Sequence, residues 1–84
     1  MALMHYFVYI LKSLKDCTLY TGLSRNPEKR LQGHNSGISK YTKGHRPYEL
    51  VYIERFFDRK SARDREKYLK TGHGKEELKT IIPP

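Results

Sequence analysis

The sequence predicts an α+β fold, a small three-stranded antiparallel or mixed sheet flanked by helices in the order ββαβαα. Three observations lead there. An unbroken aromatic and branched run, Tyr6 to Leu11, is followed by a second run, Leu19 to Leu23, after a polar interval. A third run, Leu50 to Phe57, stands apart from them. The segments on either side of that third run each open with helix-capping chemistry.

Tyr6 to Leu11 has no polar break, as in a strand covered on both faces. Lys12 to Thr18 is polar, with Lys15-Asp16 near its middle, and reads as a turn, so residues 7–23 form a β-hairpin. Asn26 can cap the first helix, Pro27 suits its first position, and Glu28 suits its positive end. This helix runs through Leu31 and His34 until Asn35-Ser36-Gly37 stops it. Residues 38–48 read as loop, with basic groups and tyrosines interleaved. The third strand, Leu50 to Phe57, is apolar on both faces at its centre. Asp58 caps the next helix, which extends to about Lys70. Thr71-Gly72 ends it, and a short helix follows from Lys75 to Ile81.

Eighty-four residues suit one domain, 1–84, with a small core in which seven Tyr and three Phe supply bulk. Hydrophobic (37%) and charged (31%) fractions exclude a disordered tail or a membrane protein. Seventeen Lys and Arg against nine Asp and Glu leave a net charge of +8. Such an excess favours a polyanionic partner through counterion release, although a merely well-solvated basic surface has the same composition. The lone Cys17 can form no internal disulfide, and four scattered His offer no zinc site, which fits a reducing cytoplasm. The apolar start lacks the basic segment and cleavage site of a signal peptide.

Chemistry concentrates at three places. On the helix after Asp58, Ala62, Glu66 and Leu69 share one face. A carboxylate on that inward stripe needs a partner, either a metal ion or an internal Arg. Arg30 and His34, four apart, project from one side of the first helix. Arg presents a fork of donors matched to phosphate, and His can take a proton or bind phosphate, though such pairs are often plain surface. Tyr9 and Tyr20 occupy adjacent strands, with Gly22 on the Tyr20 face. A Gly there often marks close approach by a ligand or another backbone, while the tyrosines alone read as core filler.

Taken together, Phe7-Val8-Tyr9, ten intervening residues and Tyr20-Thr21-Gly22 resemble the paired motif of the GIY-YIG superfamily. Arg30, His34 and Glu66 fall where that superfamily places its arginine, histidine and metal carboxylate. Lys40-Tyr41-Thr42-Lys43, Pro47, Val51-Tyr52 and Arg65 to Lys70 resemble its small stand-alone bacterial branch. The superfamily includes the nuclease domain of the excision-repair C subunit and structure-selective endonucleases. Phe7, Val8 and Thr21 depart from the motif, and a late Asn of several nuclease branches is absent.

The resemblance implies a phosphodiesterase that uses one Mg²⁺ or Mn²⁺ on Glu66. Arg30 would neutralise the transition state, Tyr9 would act as base, and His34 and Tyr20 would position water or phosphate. Gly22 would leave room for the scissile backbone. Lys40, Lys43, Arg46, Arg59 and Arg63 would follow phosphates, and Tyr41 would stack on an unpaired base. The expected partner is nucleic acid, DNA favoured over RNA, chosen by shape rather than sequence, with no membrane. Open sheet edges leave room for a homodimer or a protein partner. The alternatives are an inactive binding module of the same fold and a small RNA- or ribosome-associated structural protein.

Overall fold

In the computed structural model, described over residues 5–37 and 40–82, with Lys40 and Tyr41 limited to their backbone, one strand carries most of the organisation. β1 (Tyr6–Ser13) lies between β2 (Leu19–Ser24) and β3 (Tyr48–Phe56), in the order β2-β1-β3. All pairings are antiparallel. Central placement explains the unbroken apolar run, because Val8, Tyr9, Ile10 and Leu11 are all fully buried. The hairpin, the three-stranded sheet and the expected α+β class are all present.

Strand alternation sorts β1 into two sets. Val8 and Ile10 face one layer, where they pack with Ala62, Leu69 and Leu78 from α3 (Arg59–Leu69) and α4 (Gly72–Ile81). Tyr9 and Leu11 face the other layer and cluster with Tyr48, Tyr20, Leu50 and Leu31, the last from α1 (Pro27–Asn35). The sheet therefore separates the two helical layers. A register shift between Ile10 and Leu11 brings Leu11 opposite Leu50 and Ser13 opposite Tyr48.

The helix ends follow their local chemistry. The Asn26 side chain accepts from Lys29 N at 3.1 Å, and Asp58 accepts from Ser61 N at 2.7 Å. Gly37, at φ +85°, takes the left-handed turn that ends α1. Asn35 then ties that end to the sheet, because its amide donates to Tyr48 O at 3.0 Å and accepts from Tyr48 N at 2.6 Å.

Four boundaries differ from the sequence reading. β1 continues to Ser13, whose hydroxyl accepts from Lys15 N and Asp16 N and so belongs to strand and turn together. Residues 40–43 form a short helix, α2 (Lys40–Lys43), inside what reads as loop. β3 begins at Tyr48, and as an edge strand it leaves Ile53 43% exposed rather than covered on both faces. Thr71 does not merely end α3. Its hydroxyl accepts from Gly74 N and caps α4, which starts at Gly72.

In the α3–α4 layer, Arg65 on α3 donates to Glu54 of β3 at 2.9–3.2 Å and pairs with Glu77 of α4. Tyr52 also donates to Glu54 at 2.7 Å. This network joins three elements and fixes α3 against the sheet. No helix among the described residues is long and apolar enough to cross a membrane.

Candidate active site

Tyr9 and His34 form the centre of the site. The Tyr9 hydroxyl lies 3.3 Å from Nε2 of His34, and both side chains are buried. On the other side of the imidazole, Nδ1 is 2.8 Å from Oγ1 of Thr42, itself fully buried. In the tautomer whose Nδ1–H donates to Thr42, Nε2 is an acceptor facing the phenol. Tyr20 packs on the same ring, with centroids 4.7 Å apart, and Tyr48 approaches at 6.3 Å. Arg30, one turn before His34, stands near enough to the Tyr9 hydroxyl for its positive charge to favour the phenolate.

The electrostatics follow from burial. Desolvation pushes the Tyr9 phenol above its ordinary value, Arg30 pulls it back in part, and the Tyr20 and Glu66 charges push it up further. His34 is held below the usual histidine range, first by desolvation and then by the Arg30 charge. At neutral pH the pair is therefore a protonated phenol facing a neutral imidazole. The sequence suggests Tyr9 as the base, but this geometry makes His34 the better acceptor.

Gly22 has a different use from the one expected. It pairs with Tyr9 across the hairpin, and a Cβ there would collide with the Tyr9 ring. The space left by its missing side chain is occupied by the phenol, not open to a substrate backbone. Gly22 thus lets Tyr9 lie flat across β2 toward His34 and Arg30.

Glu66 is 7% exposed, on the buried stripe with Ala62 and Leu69 that its spacing predicts. Its charge is felt at Tyr9 although α3 belongs to the opposite layer. One carboxylate oxygen lies 3.5 Å from Arg63 and the other 3.3 Å from Lys70. Arg63, expected on phosphate, instead stands beside the carboxylate. No group of three or more metal-ligating side chains occurs among the described residues. A single sheltered carboxylate suits a hard divalent ion that keeps most of its water. The two cationic partners are long and half exposed, so they can swing aside.

The other basic candidates are dispersed. Arg46 lies against Gly37, while Lys43 and Arg59 are exposed. The expected roles of Lys40 and Tyr41 depend on side chains outside the described residues. Three lysines that the sequence reading did not single out line a cleft of about 760 Å³ between β2 and the α3–α4 pair. Lys70, Lys75 and Lys79 form its rim, Leu69 and Leu78 are its apolar lining, and Tyr20 also borders it. Thr42 and Asn35 were also missed. Each acts through a partner eight or thirteen residues away, for which local spacing gives no signal.

Known proteins resemble this chain over most of its length. The GIY-YIG catalytic domain matches residues 5–79. The chain is 46% identical over 76 residues to a UPF0213 protein of Clostridium perfringens, covering 89% of this chain and 81% of that protein. It is 47% identical over 72 residues to a UPF0213 protein of Natronomonas pharaonis, covering 84% and 82%. The solution NMR structure of a UPF0213 protein from Bacillus halodurans superposes with a TM-score of 0.57 at 34% identity, covering 93% of this chain and 85% of that one. The chain belongs to the GIY-YIG family and, within it, resembles the UPF0213 proteins throughout most of its length.

Proposed function

We propose that this protein is a divalent-metal-dependent endonuclease that hydrolyses phosphodiester bonds of DNA with little sequence specificity. The observation that carries this reading is the meeting of Tyr9, His34 and Arg30 within the field of a sheltered Glu66.

In this reading Arg30 binds the non-bridging oxygens and balances the charge that grows on them. A water attacks phosphorus and gives its proton to the Tyr9 oxygen as the Tyr9 proton passes to Nε2 of His34, while the P–O3′ bond breaks and the leaving 3′-oxygen takes a proton from solvent. The imidazolium that results keeps its Nδ1–H on Thr42. Tyr20 holds the imidazole ring in place by packing on it. Glu66 would hold the Mg²⁺ or Mn²⁺, which when bound supplies positive charge at the leaving 3′-oxygen. No described element presents itself as a groove-reading helix, so substrate choice falls to DNA shape.

The test is cleavage of branched, flapped, duplex and single-stranded DNA and of RNA, with Mg²⁺, Mn²⁺ or EDTA. Products should require metal and vanish in Glu66→Gln and Arg30→Ala. Products that persist in Glu66→Gln would remove this carboxylate from the chemistry.

One observation favours a second reading, a binding module without turnover: Arg63 and Lys70 already neutralise Glu66. Such a module would bind nucleic acid with no cleavage under any metal, and Glu66→Gln would leave its affinity intact or raise it.

A further inference from the structure

The sheet face that carries Tyr9 is only half covered. α1 packs over the end holding Leu11, Tyr48 and Leu50. Toward the other end, the register places Ile53 beside Tyr9 and Arg55 beside Phe7, so these four side chains share the face. Just beyond β3, Phe57 is 68% exposed. The Arg55 guanidinium lies over the Phe57 ring, 5.5 Å from its centroid, and His5 meets that ring edge-on at 5.4 Å. His5 also contacts Phe7 at 6.4 Å. Beside the buried Tyr9, an apolar and aromatic cluster that includes an arginine thus runs from Ile53 and Phe7 to the exposed Phe57 just past β3.

An exposed apolar patch of this kind needs an occupant. Apolar burial alone would suit a second copy, but an isologous contact would bring the two Arg55 patches of a +8 protein toward each other. A nucleic-acid strand satisfies both components, because its bases stack on aromatic faces and its phosphates take the guanidinium. Uncovered sheet faces with aromatics commonly hold two or three unpaired bases in this manner.

We propose that Phe57, Phe7, Arg55 and Ile53 form a stacking platform for unpaired bases next to the phosphate at Tyr9. The proposal rests on the nuclease reading for the position of that phosphate. It gives the site a substrate class, strands with an unpaired segment beside the cut, in preference to continuous duplex.

Binding of a short single strand carrying 2-aminopurine, measured in EDTA so that nothing is cut, tests this directly. The fluorophore should be quenched on binding. Phe57→Ala and Phe57→Leu should each weaken single-strand affinity by on the order of tenfold, the loss of one base–aromatic stack, whereas Phe57→Tyr should restore it. Affinity for the matching blunt duplex, which depends on phosphate contacts, should change by less than about twofold. Equal affinity in all Phe57 variants overturns the platform, as does equal weakening toward single strand and duplex. A concentration-dependent dimer in sedimentation that Phe57→Ala dissociates would also overturn it, by assigning the patch to a second copy. Cleavage that continues normally without quenching rejects the platform and spares the nuclease. Quenching that persists where no substrate is cut rejects the nuclease and spares the platform.

Discussion

The Tyr9 hydroxyl and His34 Nε2 lie 3.3 Å apart, inside a layer that excludes solvent from both. The imidazole reaches this point from α1, and Thr42 Oγ1, 2.8 Å from Nδ1, holds the ring with Nε2 toward the phenol. Nε2 of His34 stands within reach of the Tyr9 proton.

The pH dependence follows from His34. Its value is depressed below the ordinary histidine value of roughly 6.5, so the neutral acceptor persists below neutral pH. Cleavage should rise with pH through that lowered value and level off before neutrality. Thr42→Val should reduce the plateau by freeing the tautomer. Stability has the same sign, because a depressed folded-state value contributes stability that is complete above the unfolded value and lost as pH falls through the folded one. Thermal melts between pH 4 and 8, compared with those of His34→Gln, read this directly.

Gly22→Ala tests the placement of Tyr9. The added methyl collides with the phenol ring, so Tyr9 must leave His34 or the hairpin must shift. The expected stability cost is about 1–3 kcal/mol, the range for overpacking. Cleavage should fall much further than the folded fraction, as measured by activity and by denaturant titration on one preparation.

For Glu66→Gln, cleavage should drop by at least ~10²-fold, comparable to removing one electrostatic contact to the transition state. Nucleic-acid affinity should stay level or rise, because a negative charge near the phosphate path is gone. Measuring both quantities separates loss of chemistry from loss of binding.

Arg65 should prove structural rather than catalytic. Arg65→Ala strips Glu54 of its charged donor and releases Glu77, at a cost of about 2–3 kcal/mol. Burial would raise the Glu54 carboxyl, but hydrogen bonds from Arg65 and Tyr52 outweigh it and hold the group below its usual value. This stability is therefore present at neutral pH and lost as acid protonates Glu54. Chemical denaturation of Arg65→Ala at neutral and acid pH should give curves that converge in acid.

The legible parts were those with a local cause. Asn26 and Asp58 cap their helices because the groups they bond lie three residues away. Glu66 falls on the buried stripe because helical periodicity alone puts it there. Gly37 stops α1 by its own backbone freedom. What escaped depends on strand order and distant pairing. Ile53 reads as buried until β3 is known to be an edge, and Gly22 reads as a substrate gap until its partner is known to be Tyr9. The four-residue α2 is too short to show a helical period, yet it supplies the threonine that orients His34.

Because β1 sends alternate side chains to opposite layers, the Tyr9 phenol and the main apolar core share a single stretch of backbone. A slip of one position would carry Tyr9 into the oily layer and bring Val8 or Ile10 out to the imidazole. A chain out of register would separate Tyr9 from His34, so the contact between phenol and imidazole itself reports whether the chain has threaded its centre correctly.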